Sequence, residues 1–283
     1  MRAVFAGILA FAVLAWSPPA PAHEPALAHY LANAGVMVAH GDTKVLFDPL
    51  FNESFGQYEL VPEDIRKALF ADEPPWDGVD AVFISHYHDD HFDPRELVEF
   101  LRAREAVHLY APEQAMAALR EAAGAEIGRL SARLHPVALE HGGEPRRIEL
   151  PGLLIEAARV PHAGWPERAA EVENIAWRVT LDGQATVLHL GDADTSTVHF
   201  EPHRGFWLER RPHMAFPPYW FFLSQDGLRV LHEFLRPLHA IGIHVPAAVP
   251  EDRAKREEAL RDVDLFTRPG ETRELPPATV GRR

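Results

Sequence analysis

The sequence predicts a single α/β (α+β) domain on three observations. Strand-length apolar runs recur in two blocks, segments of helical period accompany each block, and 283 residues with 47% hydrophobic content can bury one substantial core. The elements follow in order. Arg2, the apolar run Val4 to Trp16 and the small-residue junction Ala20-Pro21-Ala22 read as an export signal cleaved after Ala22, because about thirteen apolar residues fall short of the roughly twenty that span a bilayer. An uncleaved N-terminal anchor is the alternative. Residues 23–283 then make one domain, periplasmic or secreted, with no stable membrane span once the signal is removed.

Val36 to Val38 and Lys44 to Asp48 pair as strands around the turn His40-Gly41-Asp42. Glu53 to Asp77, carrying Pro62, Pro74 and Pro75, is an irregular excursion with one short helix. Ala81 to Ile84 is a buried strand. Pro94 to Arg104 puts Leu97, Val98 and Leu101 on one helical face with a proline allowed in the first turn, and Pro112 to Ala123 repeats that logic before Gly124. Between these helices Val107 to Tyr110 is a strand. Strand-like runs follow at Leu134 to Leu139, Arg146 to Leu150, Leu153 to Val160, Ile175 to Leu181 and Thr186 to Leu190, with Asp182-Gly183 as a hairpin turn. A helix over Gln225 to Leu235 precedes a strand at Ala240 to Ile243, and Glu251 to Leu260 reads as a charged surface helix.

Composition excludes several classes. A formal charge of −14 and the lack of a basic patch argue against nucleic acid as a substrate, since phosphate backbones need clustered Lys and Arg. Zero cysteines exclude disulfides, a cysteine metal ligand and lipid attachment through an N-terminal Cys.

The densest chemistry lies in His86-Tyr87-His88-Asp89-Asp90-His91, directly behind the strand Ala81 to Ile84. A neutral imidazole offers a lone pair at neutral pH, and a carboxylate adds the negative charge a dication prefers. On an extended turn alternate residues point the same way, so His86 and His88 converge on one ion while Asp90 and His91 are placed for a second. A chance cluster is the bland alternative in a chain with 17 histidines.

The H-x-H-x-D-H pattern resembles that of the metallo-β-lactamase superfamily, which demands three further ligands in order. His162 in Arg159-Val160-Pro161-His162, Asp192 in Leu190-Gly191-Asp192 and His244 in Gly242-Ile243-His244 each follow an apolar run and supply them. The resemblance implies a four-layer αββα sandwich with two divalent metal ions at one edge: zinc first, manganese or iron as alternatives. It implies His86, His88 and His162 on one ion, Asp90, His91 and His244 on the other, and Asp192 bridging both. Asp90 and Asp192 are the carboxylates given a part in catalysis, alongside a hydroxide shared by the ions. Asp48 ends an early strand and is either a partner for the free ring N–H of a liganding histidine or a turn residue before Pro49. Asp89 and Asp194 are solvated or outer-shell groups, and His189 a satisfied core histidine. His40, His135, His141, His199, His203, His213, His232 and His239 read as surface or packing residues.

The implied activity is hydrolysis of an ester, lactone, amide or phosphodiester in a small-molecule or lipid-like substrate. The chain looks most like the compact branch similar to ascorbate-phosphate lactonases and N-acyl phosphatidylethanolamine phospholipase D. Two alternatives stand beside it: a mononuclear iron oxidoreductase of the same fold, and an exported metal-binding protein without catalysis. Phe206-Trp207 and Pro217-Pro218-Tyr219-Trp220-Phe221-Phe222 form either the lip of a substrate pocket or packing under a loop. Arg204, Arg210 and Arg211 either receive a phosphate or are solvated.

Overall fold

In the computed structural model, which describes residues 25–277, two sheets stack face to face and helices cover both outer sides. The expected signal over residues 1–22 lies outside the described residues. The first sheet holds β1 (Leu27–Ala32), β2 (Gly35–His40), β3 (Thr43–Phe47), β4 (Ala81–Phe83), β5 (His108–Pro112) and β6 (Leu134–Val137), with β13 (Thr272–Glu274) beside β1 at its edge. The second runs β12 (His239–Ala240), β11 (Met214–Phe216), β10 (Ala185–His189), β9 (Ile175–Leu181), β8 (Leu153–Arg159) and β7 (Arg146–Leu150).

Alternation along the strands builds the layers. Val45 and Phe47 of β3, Ala81 and Phe83 of β4, and Ile175, Trp177, Val179 and Leu181 of β9 face the space between the sheets and are buried there. Their neighbours Leu46 and Val82 point outward, under α1 (Glu63–Ala71), α2 (Pro94–Ala103) and α3 (Glu113–Ala123), which is followed by the single turn α4 (Ile127–Leu130). On the far side Ala176, Leu188 and Ala215 meet α5 (Arg204–Glu209) and α6 (Gln225–Arg229), which continues as a π turn over Val230–Leu235. Helix α2 starts where Asp93 accepts from the backbone N–H groups of Arg95 and Glu96 at 2.8 and 2.9 Å, a cap worth about 1 kcal/mol.

Two expected elements take another form. The charged segment Glu251 to Leu260 is not a helix but two 3₁₀ turns, Arg253–Lys255 and Glu258–Leu260. Its Arg256 is buried, and the guanidinium donates to the carbonyls of Pro250, Glu251 and Val263, drawing inward groups that a surface helix would use along its own axis. The expected strand Ala240 to Ile243 keeps a ladder only at β12 and continues through single bridges, Pro218 to Ile243 and Gly242 to Leu265. Pro217 and Pro218, following β11, have no N–H to extend the ladder. Among the described residues, the short elements β1, α4, α5, β11 and β13 lack a sequence signal.

Asp264 fastens the two sheets at the edge where β12 and β13 lie. Its carboxylate accepts from His239 of β12 at 2.9 Å and from Arg273 of β13 at 3.1 and 3.2 Å. Burial alone raises a carboxyl pKa, yet these partners hold that of Asp264 at about 2. A folded-state pKa below the unfolded one gives stability that is complete above about pH 4 and is lost as pH falls towards 2. Asp264→Asn should therefore cost about 1–2 kcal/mol in urea denaturation at pH 7, and the gap to the native chain should narrow as pH falls below about 4 and close only below about pH 2; a gap that does not change with pH would disprove the assignment.

Candidate metal centre

The C-terminal ends of β4, β8 and β10 open at one edge of the sandwich, and the chain leaves each of them carrying the residues expected to bind metal. All seven come together. His86, His88 and His162 form one group of possible ligand atoms, and Asp90, His91 and His244 a second. A third group, His86, His91 and Asp192, lies between them. Asp192 Oδ1 is 3.2 Å from His91 Nε2, while its Oδ2 is 3.3 Å from His244 Nε2 and 3.5 Å from His162 Nε2.

Hydrogen bonds fix which ring nitrogen faces inward. Buried Asp48 accepts from the Ser85 N–H at 2.7 Å, the Ser85 hydroxyl at 2.6 Å and His91 Nδ1 at 2.9 Å. Because the Ser85 hydroxyl spends its one proton on Asp48, it accepts from His86 Nδ1–H at 3.0 Å. His162 Nδ1–H donates to the Ala163 carbonyl at 2.8 Å. Each of these three rings is left with a bare Nε2 turned into the site. His91 Nε2, His162 Nε2 and Asp192 Oδ1 are buried there without a hydrogen-bond partner, as is His244 Nδ1.

Lone pairs facing a carboxylate oxygen at 3.2 Å need a cation between them, a proton at the least. Burial opposes a charge on His91, but Asp192, Asp48 and Asp90 outweigh it and raise its proton affinity well above the usual value. Burial and the neighbouring histidines push His86 well below it. Burial likewise opposes ionisation of Asp192, yet His244, His91 and His162 hold its carboxyl well below the usual range. Nitrogen and carboxylate donors, oriented and lacking protein partners, fit divalent zinc, manganese or iron.

Supporting residues beyond the sequence reading also appear. Asn33 donates to the Asp90 carbonyl at 2.8 Å and accepts the His244 N–H at its own carbonyl, linking two candidate ligands to the β1–β2 turn. Asn174 accepts from the Asp192 N–H at 3.0 Å. A Cβ on Gly191 would strike that same Asn174 side chain and lie 2.5 Å from Ser85 Cβ, so only glycine lets the β10 exit approach the β4 exit. Asn174 ahead of an apolar strand was the one visible hint; Asn33 and Ser85 carried none.

His189 is a core residue as expected, donating from Nε2 to the Ala34 carbonyl at 2.9 Å and stacked on Phe47. The aromatic cluster divides. Trp207 and Phe221 are buried against α6 and its π turn, whereas Trp220 lies 5.3 Å ring to ring from His244 and Tyr219 is half-buried next to it. Arg204, Arg210 and Arg211 do not converge on the centre; their partners are Glu201, Glu156 and the Arg236 carbonyl.

The family model described as a beta-lactamase superfamily domain matches residues 43–245, which span all seven residues. The chain belongs to this superfamily. A 71-residue stretch is 39% identical to UPF0173 protein YddR of Bacillus subtilis (strain 168), and covers 22% of this chain but only 28% of that relative. Among solved superfamily-like folds, a possible metal-dependent hydrolase from Veillonella parvula DSM 2008 superposes with a TM-score of 0.62 at 14% identity, over 89% of this chain and 100% of that one. The isothiocyanate hydrolase from Delia radicum gut bacteria gives 0.55 at 17% identity, over 87% and 98%. CmlA, a diiron beta-hydroxylase from Streptomyces venezuelae, gives 0.54 at 18%, over 90% of this chain and 55% of that protein. At these identities the likeness is one of fold, and the fold carries more than one chemistry.

Asp48→Asn keeps the shape of the side chain and removes its charge. Zinc affinity, measured by competition with a chromogenic chelator, should fall about 10–100-fold, and an unchanged affinity would remove Asp48 from the centre.

Proposed function

We propose that this superfamily member is a dinuclear metal-dependent hydrolase that cleaves an ester, lactone, amide or phosphodiester bond in a small or lipid-like substrate. One observation carries the reading: two separate trios of ligand atoms, with the Asp192 carboxylate touching members of both. Two dications about 3.5–4 Å apart repel and need an anionic group between them. His86, His88 and His162 would hold one ion, Asp90, His91 and His244 the other, and Asp192 both; zinc is the first choice. Such ions, when bound, supply a water acidic enough to attack at neutral pH and draw charge from the substrate oxygen.

The chain's own residues do the remainder. Asp48, directly at His91 and through Ser85 at His86, keeps two imidazoles in the liganding tautomer, and Asn33 and Asn174 hold Asp90 and Asp192 in place. Asp90 and Asp192 would be the carboxylates that take or return a proton beside the reacting group. Trp220 is held over the site by a 3.1 Å hydrogen bond to the Ala193 carbonyl and offers an apolar wall to the substrate. A net charge of −14 speaks against a nucleic-acid substrate. The N-terminal apolar run supports export to the periplasm or beyond, and among the described residues no helix is long and apolar enough to cross a membrane.

Purified protein should contain two ions per chain by mass spectrometry of the metals, and Asp192→Ala should lose metal and turnover together by at least about 100-fold. One iron per chain with oxygen uptake would favour oxidation instead, and two ions without turnover on any ester, lactone, amide or phosphodiester would favour a storage role. Trp220→Ala should shift substrate preference by about tenfold and leave metal content unchanged; an equal loss on all substrates with a lower melting temperature would make it a packing residue.

A further inference from the structure

The rim of the site carries one more aromatic residue, whose role rests on the hydrolase reading. Tyr58 belongs to the excursion after β3, and its ring meets the His244 ring edge-on at 4.3 Å. Its position is fixed: the N–H groups of Gln57 and Tyr58 bond to the Ser54 carbonyl, and the Gln57 carbonyl accepts from Ala247 N–H at 2.8 Å, three residues beyond His244. The turn that carries Tyr58 is thus fastened to the segment that carries His244.

The ring is half-buried, while its hydroxyl makes no hydrogen bond among the described residues. The hydroxyl is not enclosed by protein, so a group that enters the site can reach it. Asp90 and Asp192 are turned to histidines instead: Asp90 Oδ2 to His244 at 3.1 Å, Asp192 Oδ2 to His244 and His162. A phenol keeps its proton at neutral pH, with an ordinary pKa of about 10, so it is a fixed donor without an acceptor beside the trio Asp90, His91 and His244.

We propose that Tyr58 is a substrate-contacting residue, whose hydroxyl donates a hydrogen bond to the acyl or phosphoryl oxygen of the bond under attack. That oxygen gains negative charge as the bond breaks, so a donor aimed at it favours the transition state over the bound substrate. No proton is transferred; the hydroxyl stays a phenol throughout. The ligand chemistry is an oxyanion flanked by an apolar group, the latter against Trp220 and the Tyr58 ring.

Tyr58→Phe removes the donor and keeps the ring on His244. The expected result is unchanged metal content and melting temperature, kcat/KM reduced about 10–100-fold mainly through kcat, and inorganic phosphate bound to the metal-loaded protein at least about fivefold more weakly by calorimetry. Values of kcat/KM and phosphate affinity within about twofold of the native chain would overturn the proposal, and so would loss of metal, which would make Tyr58 a prop for His244. Should the native chain turn over none of the four bond types, the hydrolase reading fails, and the phosphate titration still decides whether Tyr58 contacts an oxyanion.

Discussion

The carboxylate of Asp48 is the fixed point on which the centre depends. It is fully buried and accepts three hydrogen bonds from two residues on the β4 exit and the turn behind it, Ser85 and His91. Through them it sets the proton on the outer nitrogen of His86 and His91 and leaves the inner nitrogen bare. Without that relay either imidazole could present an N–H to the site, and the arrangement would lose both its ligand character and its reason to accept cations.

Placement needs both sheets. β4 of the first sheet delivers His86 to His91, β8 and β10 of the second deliver His162 and Asp192, and His244 arrives from the segment that runs beside β11. Close approach is won locally. Gly191 permits contact between the β4 and β10 exits, and Asp48 and His244 take positive φ angles of 42° and 56°, an expense for non-glycine residues that the surrounding hydrogen bonds sustain.

Much of this was legible in the sequence because period and spacing are local properties. The helices at Pro94 and Pro112 and the strands from Ala81 to Leu190 stand within a few residues of their expected bounds, and all seven candidate ligands meet. What was illegible depends on distant partners. β13 is a strand through its pairing with the remote β1, and the three residues of β11 through β10 and β12, while Arg256 folds its own segment inward by side-chain bonds to backbone carbonyls, which leave no period in the sequence. Asn33 and Tyr58 have no motif, and only the tertiary fold brings them to His244. The aromatic run showed the reverse problem: one cluster in sequence serves as packing at Phe221 and as rim at Trp220.

The pairing of β1 with β13 has a consequence for how the chain reaches its native state. Leu27 lies opposite Glu274, so β1 has one neighbour close by in sequence, β2, and another nearly 250 residues away. Its outer hydrogen bonds stay open until that distant segment has folded back against it. Closing this edge carries the loop entropy of the whole interval between the two strands, which places it late among the steps of folding.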